Sequence, residues 1–216
     1  MLDQRYKDIC FNSLLLPNKI NFFWQKFIVS WLFRRPPLRL HLGCGGNYLE
    51  GFINIEANIF RKKDIWLDLR NGLPFPNNSV NSIYAHSFCE HLYPGELVAL
   101  LKECQRVLKP GSGMRIAVPD LEVAVKGYII DNLSWVSDFP RHFNSLGGKF
   151  YNFVFCDGQH KMCFDFTLLE ELFAQAGFGK ISRMKSNESQ IYVNEQIKEK
   201  VADPAHLYVE CFKKEV

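Results

Sequence analysis

Four consecutive residues, Gly43-Cys44-Gly45-Gly46, carry almost no side-chain bulk and follow the alternating apolar segment Leu38 to Leu42. A turn of this kind lets backbone N–H groups approach a ligand closely, and in open α/β sheets ligands lie at the carboxyl ends of strands. Glu56 ends a second such segment (Phe52 to Glu56), where a carboxylate can accept hydrogen bonds from both hydroxyls of a ribose. Asp68 ends a third, Asp64 to Leu69. The chemistry these three share is a nucleoside site.

A second set of residues offers proton transfer. His86, Glu90, His91 and Asp120 follow the next two apolar segments, and His160 and Asp165 precede a short helix. Asp120, His86 and His160 are taken as the candidate bases. Each has an ordinary reading beside the chemical one: Glu90 and His91 orient a turn, Asp120 caps a helix, and His160 sits in a loop. His142, next to Arg141, faces solvent or an anionic group of a substrate. The spacing of His86 and His91 does not put both on one helical face and no third ligand is marked, so no metal is expected.

The elements that must carry these residues are legible as periodicities. Strands are expected at 38–42, 52–56, 64–69, 80–87, 114–118, 180–185 and 207–213. A helix is expected from Pro94 to Leu108, with Leu97, Leu100, Leu101, Cys104 and Leu108 on one face and Lys109-Pro110-Gly111 as its stop. Thr167 to Glu170 reads as a capping box opening another helix, and Gly177 lies past its end. Strands interleaved with helices predict an open, mostly parallel α/β sheet. Only residues 43–51 separate the first two strands, fewer than the roughly 12 of a full crossover helix, so at most one helical turn fits there.

Composition sets the class. The 216 residues are 47% apolar and 23% charged, a balance that excludes disordered and collagen-like chains. Seven cysteines at irregular spacing, with no C-x-x-C pair, read as reduced thiols of a cytoplasmic protein. No stretch is long and apolar enough for a membrane span. The net charge of +3 is uneven: residues 1–36 hold a balance of +4, and the remainder holds 20 basic against 21 acidic side chains. The near-neutral body gives no reason to expect nucleic acid. Within 1–36, an amphipathic helix over 20–33 places Ile20, Phe23, Trp24, Phe27, Ile28, Trp31 and Leu32 on one stripe, ended by Arg34-Arg35-Pro36-Pro37. Two roles stay open for that stripe: packing on the protein's own core, or docking on a membrane surface or a partner. Residues 1–36 are thus read as an extension, 37–216 as the main domain, and the aromatic-rich 122–163 as its variable, acceptor-side region.

Taken in order, the segments Leu40 to Gly46, Phe52 to Glu56, Asp68-Leu69, Leu73 to Ser79, Cys89-Glu90-His91-Leu92, Arg106 to Gly111 and Gly113 to Asp120 resemble a class I S-adenosylmethionine-dependent methyltransferase. The resemblance implies a Rossmann-like sheet of about seven strands with the last antiparallel. It implies S-adenosylmethionine as cofactor, with Leu42, Gly43, Cys44 and Gly45 around its methionine end, Glu56 on its ribose, and Asp68 and Leu69 beside its adenine. The family usually has an acid two residues before the first glycine; His41 stands there in this chain. The shortened first crossover is similar to a subgroup of small methyltransferases associated with glycans. No Asn/Asp-Pro-Pro-Tyr-like box follows strand four, where Ala85-His86-Ser87-Phe88 stands, which argues against exocyclic amino groups of bases. A small molecule, a glycan or a lipid-linked compound is therefore the expected acceptor. Two alternatives remain: a methyltransferase-fold scaffold without activity, and an NAD-dependent oxidoreductase. For the latter, Gly43-x-Gly45-x-x-Tyr48 lacks a third glycine and Glu56 comes too early.

Overall fold

The computed structural model describes residues 13–32, 37–192 and 205–215. Arg5, Lys7 and the helix stop expected at Arg34–Pro36 lie outside the described residues. Among the described residues seven strands form one sheet: β1 (Arg39–Leu42), β2 (Ile53–Glu56), β3 (Ile65–Trp66), β4 (Val80–His86), β5 (Leu108–Pro119), β6 (Gly179–Met184) and β7 (His206–Phe212). Their order is β3-β2-β1-β4-β5-β7-β6. β1 to β5 pair in parallel, and β7 runs antiparallel to both β5 and β6. The expected seven-stranded sheet with its last strand reversed is what the chain adopts. The switch in strand order between β1 and β4 opens the crevice where α/β sheets bind ligands.

Leu40, Leu42, Ile55, Ile83, Met114 and Ile116 are fully enclosed, as the near-continuous apolar runs of a parallel sheet covered on both faces require. Helix α1 spans Leu15–Leu32, and α2 spans Pro94–Val107 with Pro94 in its first turn and the Glu96 carboxylate accepting from the Tyr93 N–H at 2.9 Å. Leu97, Leu100, Leu101, Cys104 and Val107 form its buried stripe. The chain passes into β5 at Leu108, so Lys109-Pro110-Gly111 lies within the strand instead of ending the helix. Arg106 donates to the carbonyls of Leu73 and Phe75 and pairs with Glu103 at 2.7 Å, fixing the loop before β4.

The aromatic-rich region resolves into α3 (Leu121–Ile129) and α4 (Leu146–Phe155), followed by α5 (Phe166–Gln175). The cap of α5 is Asp165, whose carboxylate accepts from the Leu168 N–H at 2.8 Å. The predicted capping box is therefore displaced by two residues, because Thr167 donates its hydroxyl to Asp165 instead of capping. β3 is also shorter than expected: after Trp66 the chain leaves the sheet, and Asp68 caps a short 3-10 turn, Leu69–Asn71. Residues 43–52 hold turns and no helix, in keeping with the short crossover.

Of the two roles left open for the stripe on α1, its described residues do not bear out packing on the core. Its polar side meets the body: the Asn18 side-chain oxygen accepts from the Asp68 N–H at 2.7 Å and from Asn71, and Asn21 donates to the Trp66 carbonyl. Val29 is deeply buried on that side. Leu16, Ile20, Phe23, Trp24 and Phe27 point outward, each more than half exposed.

One buried ion pair fastens the far side of the sheet. Arg115 on β5 and Glu210 on β7 are direct partners in register, 2.9 Å apart and closed to solvent. Arg115 also donates to the carbonyls of Lys185, Ser186 and Glu188, and Glu210 accepts from Ser189 and the Gln190 N–H. Both charges are thus fully hydrogen-bonded, the condition under which a buried pair is tolerated.

Candidate functional site

The glycine turn leaves β1 with Gly43 at φ +59° and Gly45 at φ +53°. At Gly43 a Cβ would stand 2.2 Å from the Phe88 ring, so the turn and the loop after β4 are in direct contact there. At Gly45 a Cβ would meet nothing within 4 Å, so this residue faces open space. The Glu56 carboxylate braces the turn, accepting from the Gly45 N–H at 2.8 Å and the Asn58 N–H at 2.7 Å. A carboxylate has about four acceptor positions, so capacity for a ligand's hydroxyls remains. Cys44 is buried, and its thiol lies 3.7 Å from the Lys62 carbonyl. Burial pushes that thiol up to about 11, so it is a packing group and the backbone forms the cradle.

Beneath the turn lies a polar network. Buried Asn54 donates to the carbonyls of Leu49 and Phe52 and accepts from the Leu49 N–H and from His41 Nδ1 at 3.1 Å. Burial lowers His41 to about 4, against the hydrogen bond to Asn54, so it stays neutral where the family has an acid. At the adenine end the arrangement differs from the expectation. Asp68 is held by Arg70 in a bidentate pair, 2.7 Å at its shorter arm, and caps the following turn, while Leu69 is buried in the core. The Asp68 carboxylate is thus already engaged.

Beyond the ends of β4 and β5 opens a cavity of about 750 Å³. Trp135, Phe139 and Phe153 from the aromatic region wall it on one side. The Asn152 amide donates to the carbonyls of Ser137 and Phe139 and ties that wall together. Ser87, Glu90, His91, His160 and His206 supply polar groups. The cavity and the glycine turn share the loop after β4, in which Phe88 touches Gly43 while Ser87 and Glu90 face the cavity.

Of the three candidate bases, His160 lines this cavity, whereas Asp120 and His86 do not. Asp120 caps α3 by accepting from the Glu122 N–H and pairs with Arg183 at 2.8 Å. His86 lies behind Ser87, its ring stacked on His206 at 4.7 Å. Asp165 is the cap of α5, and its hydrogen bonds from Leu168 and Thr167 hold it below the usual carboxylate range, unsuited to a base. Burial lowers His160 to about 4 and raises Glu90 to about 8. Among the described residues the sequence reading passed over His206 and Ser87, whose Nε2 and Oγ lie 2.9 Å apart. The available signal was the position of His206 immediately before the last apolar segment. Because β7 is antiparallel, its first residue sits opposite Pro119, at the ligand-binding edge.

A sequence profile of a methyltransferase-domain family matches residues 60–116. No protein among those of curated function matches the sequence. Among solved structures, a SAM-dependent methyltransferase from Archaeoglobus fulgidus aligns with a TM-score of 0.52 at 16% identity, covering 91% of this chain and 94% of that one. A SAM-dependent methyltransferase from Methanosarcina mazei aligns with a TM-score of 0.51 at 16% identity, covering 88% and 98%. Phosphoethanolamine N-methyltransferase 2 of Haemonchus contortus, solved with S-adenosyl-L-methionine, gives 0.50 at 13% identity, covering 88% of this chain and 52% of that one. At these identities the structural likeness speaks to fold. By its sheet, its glycine turn and these alignments the chain has the class I methyltransferase fold, and its segment 60–116 carries the pattern of a methyltransferase domain.

Proposed function

We propose that this protein transfers a methyl group from S-adenosylmethionine to a small-molecule, glycan or lipid-linked acceptor held in the aromatic cavity. The observation that carries the reading is the shared loop: Phe88 packs on the glycine turn while its neighbours Ser87 and Glu90 face the cavity, which supports an acceptor held beside the cofactor. The residues present fit the cofactor. The open space over Gly45 admits a ligand against backbone N–H groups, and Glu56 retains acceptor positions for ribose hydroxyls. Bound there, the cofactor supplies an electrophilic methyl group on a sulfonium. The chain's part is alignment, because a direct displacement depends mainly on holding nucleophile and carbon in line. Aromatic walls suit a sugar face or an aromatic ring and exclude water from the reacting atoms. His160 and His206 line the cavity, and His160, which burial lowers to about 4, stays neutral there and offers the acceptor a hydrogen-bonding imidazole.

The reading extends to location. No described helix is long and apolar enough to cross a membrane. The outward stripe of Phe23, Trp24 and Phe27, with exposed Lys19 and Lys26 and the +4 balance of residues 1–36, supports a peripheral contact with an anionic lipid surface. That placement favours lipid-linked acceptors.

Thermal unfolding with S-adenosylhomocysteine tests the core of the proposal. At 100 times its dissociation constant a ligand adds about 2.7 kcal/mol, a readily visible shift. A shift with NAD and none with S-adenosylhomocysteine overturns it.

A further inference from the structure

Glu90, His91 and His160 come from two segments that the sequence gives no reason to connect. The structure joins them through the backbone: the N–H groups of Lys161 and Met162 both donate to the Glu90 carbonyl, at 2.7 and 3.3 Å. His160 is thereby set against His91, ring centroids 5.2 Å apart. Each imidazole is oriented the same way. His91 Nδ1 lies 3.2 Å from the Gln159 carbonyl and His160 Nδ1 lies 3.0 Å from the Val154 carbonyl. A carbonyl only accepts, so both Nδ1 atoms carry the proton and both Nε2 atoms present a lone pair. The remaining member is the Glu90 side chain, whose Oε2 is buried without a hydrogen-bond partner in a residue 1% exposed. One ligand atom from each of the three residues lies within 4.8 Å of the others, at the wall of the cavity.

Two nitrogen lone pairs and an ionised carboxylate oxygen all accept, so the three groups need either a shared proton or a cation among them. A cation satisfies all three at once. We propose that Glu90, His91 and His160 form a site for a divalent transition-metal ion of the zinc class, with its remaining coordination position open to the cavity. Two imidazoles and one carboxylate are borderline donors suited to zinc or cobalt(II) and poorly matched to calcium or magnesium, which take oxygen ligands. The backbone carbonyls behind each Nδ1 are the outer partners that fix ligating histidines in metal sites. A zinc tetrahedron has edges of about 3.3 Å, so the ligands must draw together by roughly 1 to 1.5 Å on binding. His91, the exposed member at the cavity surface, has room to make that movement. An ion there would sit beside the acceptor, where it binds a hydroxyl oxygen and lowers its pKa. This last role rests on the methyltransferase reading; the ion site itself does not.

The experiment titrates the full-length protein with zinc and with cobalt(II), reading stoichiometry by calorimetry and metal analysis and ligand type by the visible spectrum of the cobalt form. One ion per chain with a nitrogen–oxygen spectrum is expected. His91→Ala should weaken uptake at least about tenfold, and this surface position leaves folding intact; Glu90→Gln and His160→Ala should do the same. Stabilisation by S-adenosylhomocysteine, measured in parallel on every variant, reports that the fold survives and separates the two readings. Ion binding without that stabilisation supports the site and counts against the methyltransferase reading. The proposal is overturned if the wild-type protein takes up no ion, if His91→Ala binds it as tightly as wild type, or if the cobalt spectrum shows thiolate charge transfer. That last outcome would assign the ion to a thiol such as Cys156 in the same cavity or Cys163 beside Glu90 and His160.

Discussion

Gly43 and Gly45 share one backbone conformation and differ in what surrounds them, so alanine at each position separates two costs. Forcing an L-residue into the left-handed region costs roughly 1–2 kcal/mol, and both substitutions incur it. At Gly43 the new methyl would also stand 2.2, 2.4 and 2.9 Å from three carbons of Phe88, far inside the usual contact distance of about 3.5–4.0 Å. Overpacking of that kind adds about 1–3 kcal/mol. Gly45→Ala should therefore lose about 1–2 kcal/mol and Gly43→Ala about 2–5 kcal/mol, measured by urea unfolding without ligand. In a domain of this size each kcal/mol lowers Tm by about 2–4 °C, so the two variants are resolvable by melting as well. Binding should fail in both for different reasons: the methyl at Gly45 fills the space over the turn, while the methyl at Gly43 drives Phe88 away. Equal stability losses would refute the role given to Phe88. Normal S-adenosylhomocysteine binding by Gly45→Ala would refute the assignment of that space to the cofactor.

Four further outcomes are expected. Arg115→Ala should cost about 3–5 kcal/mol in urea unfolding by stranding Glu210 in the core, and joint replacement of both by Met and Leu should recover most of it. Asp120→Asn should keep methyl transfer within a few-fold, since Asn caps as well as Asp; loss of about 10²–10⁴ in rate would restore Asp120 as a base. Trp24→Glu with Phe27→Glu should leave stability within about 0.5 kcal/mol and abolish co-sedimentation with anionic vesicles, and unchanged pelleting would remove the membrane contact. His41 binds its proton in the unfolded chain below about 6.5 but in the folded chain only below about 4, so stability should fall as pH drops through that window. The loss attributable to His41 is up to roughly 3 kcal/mol, read as the difference in acid sensitivity between wild type and His41→Gln; identical pH profiles would sink it.

The strands and α2 were legible because burial writes a period into the chain, as at Leu97, Leu100, Leu101 and Cys104. The glycine turn and Glu56 were legible because a strand end leaves few residue types that serve it. What periodicity does not carry is which partner a face meets. The stripe on α1 was readable, but its outward direction follows from Asn18 meeting the backbone N–H of Asp68, a match with no sequence signature. Asp120 has the same cause: a carboxylate after a strand reads alike as base or cap until Arg183 arrives from β6. Nothing in the sequence ties His160 to Glu90 and His91; the backbone bond from Lys161 to Glu90 that unites them is invisible in side-chain types.

β7 enters the sheet between two strands that precede it in the chain. Until His206–Phe212 pairs with it, the side of β5 that faces away from β4 is an edge whose N–H and C=O groups lack strand partners. Arg115 stands in the middle of that edge. A charged side chain in a bare strand discourages pairing with other chains. Arg115 and Glu210 meet only when β7 pairs with β5, so closing the sheet and neutralising that buried charge are one event.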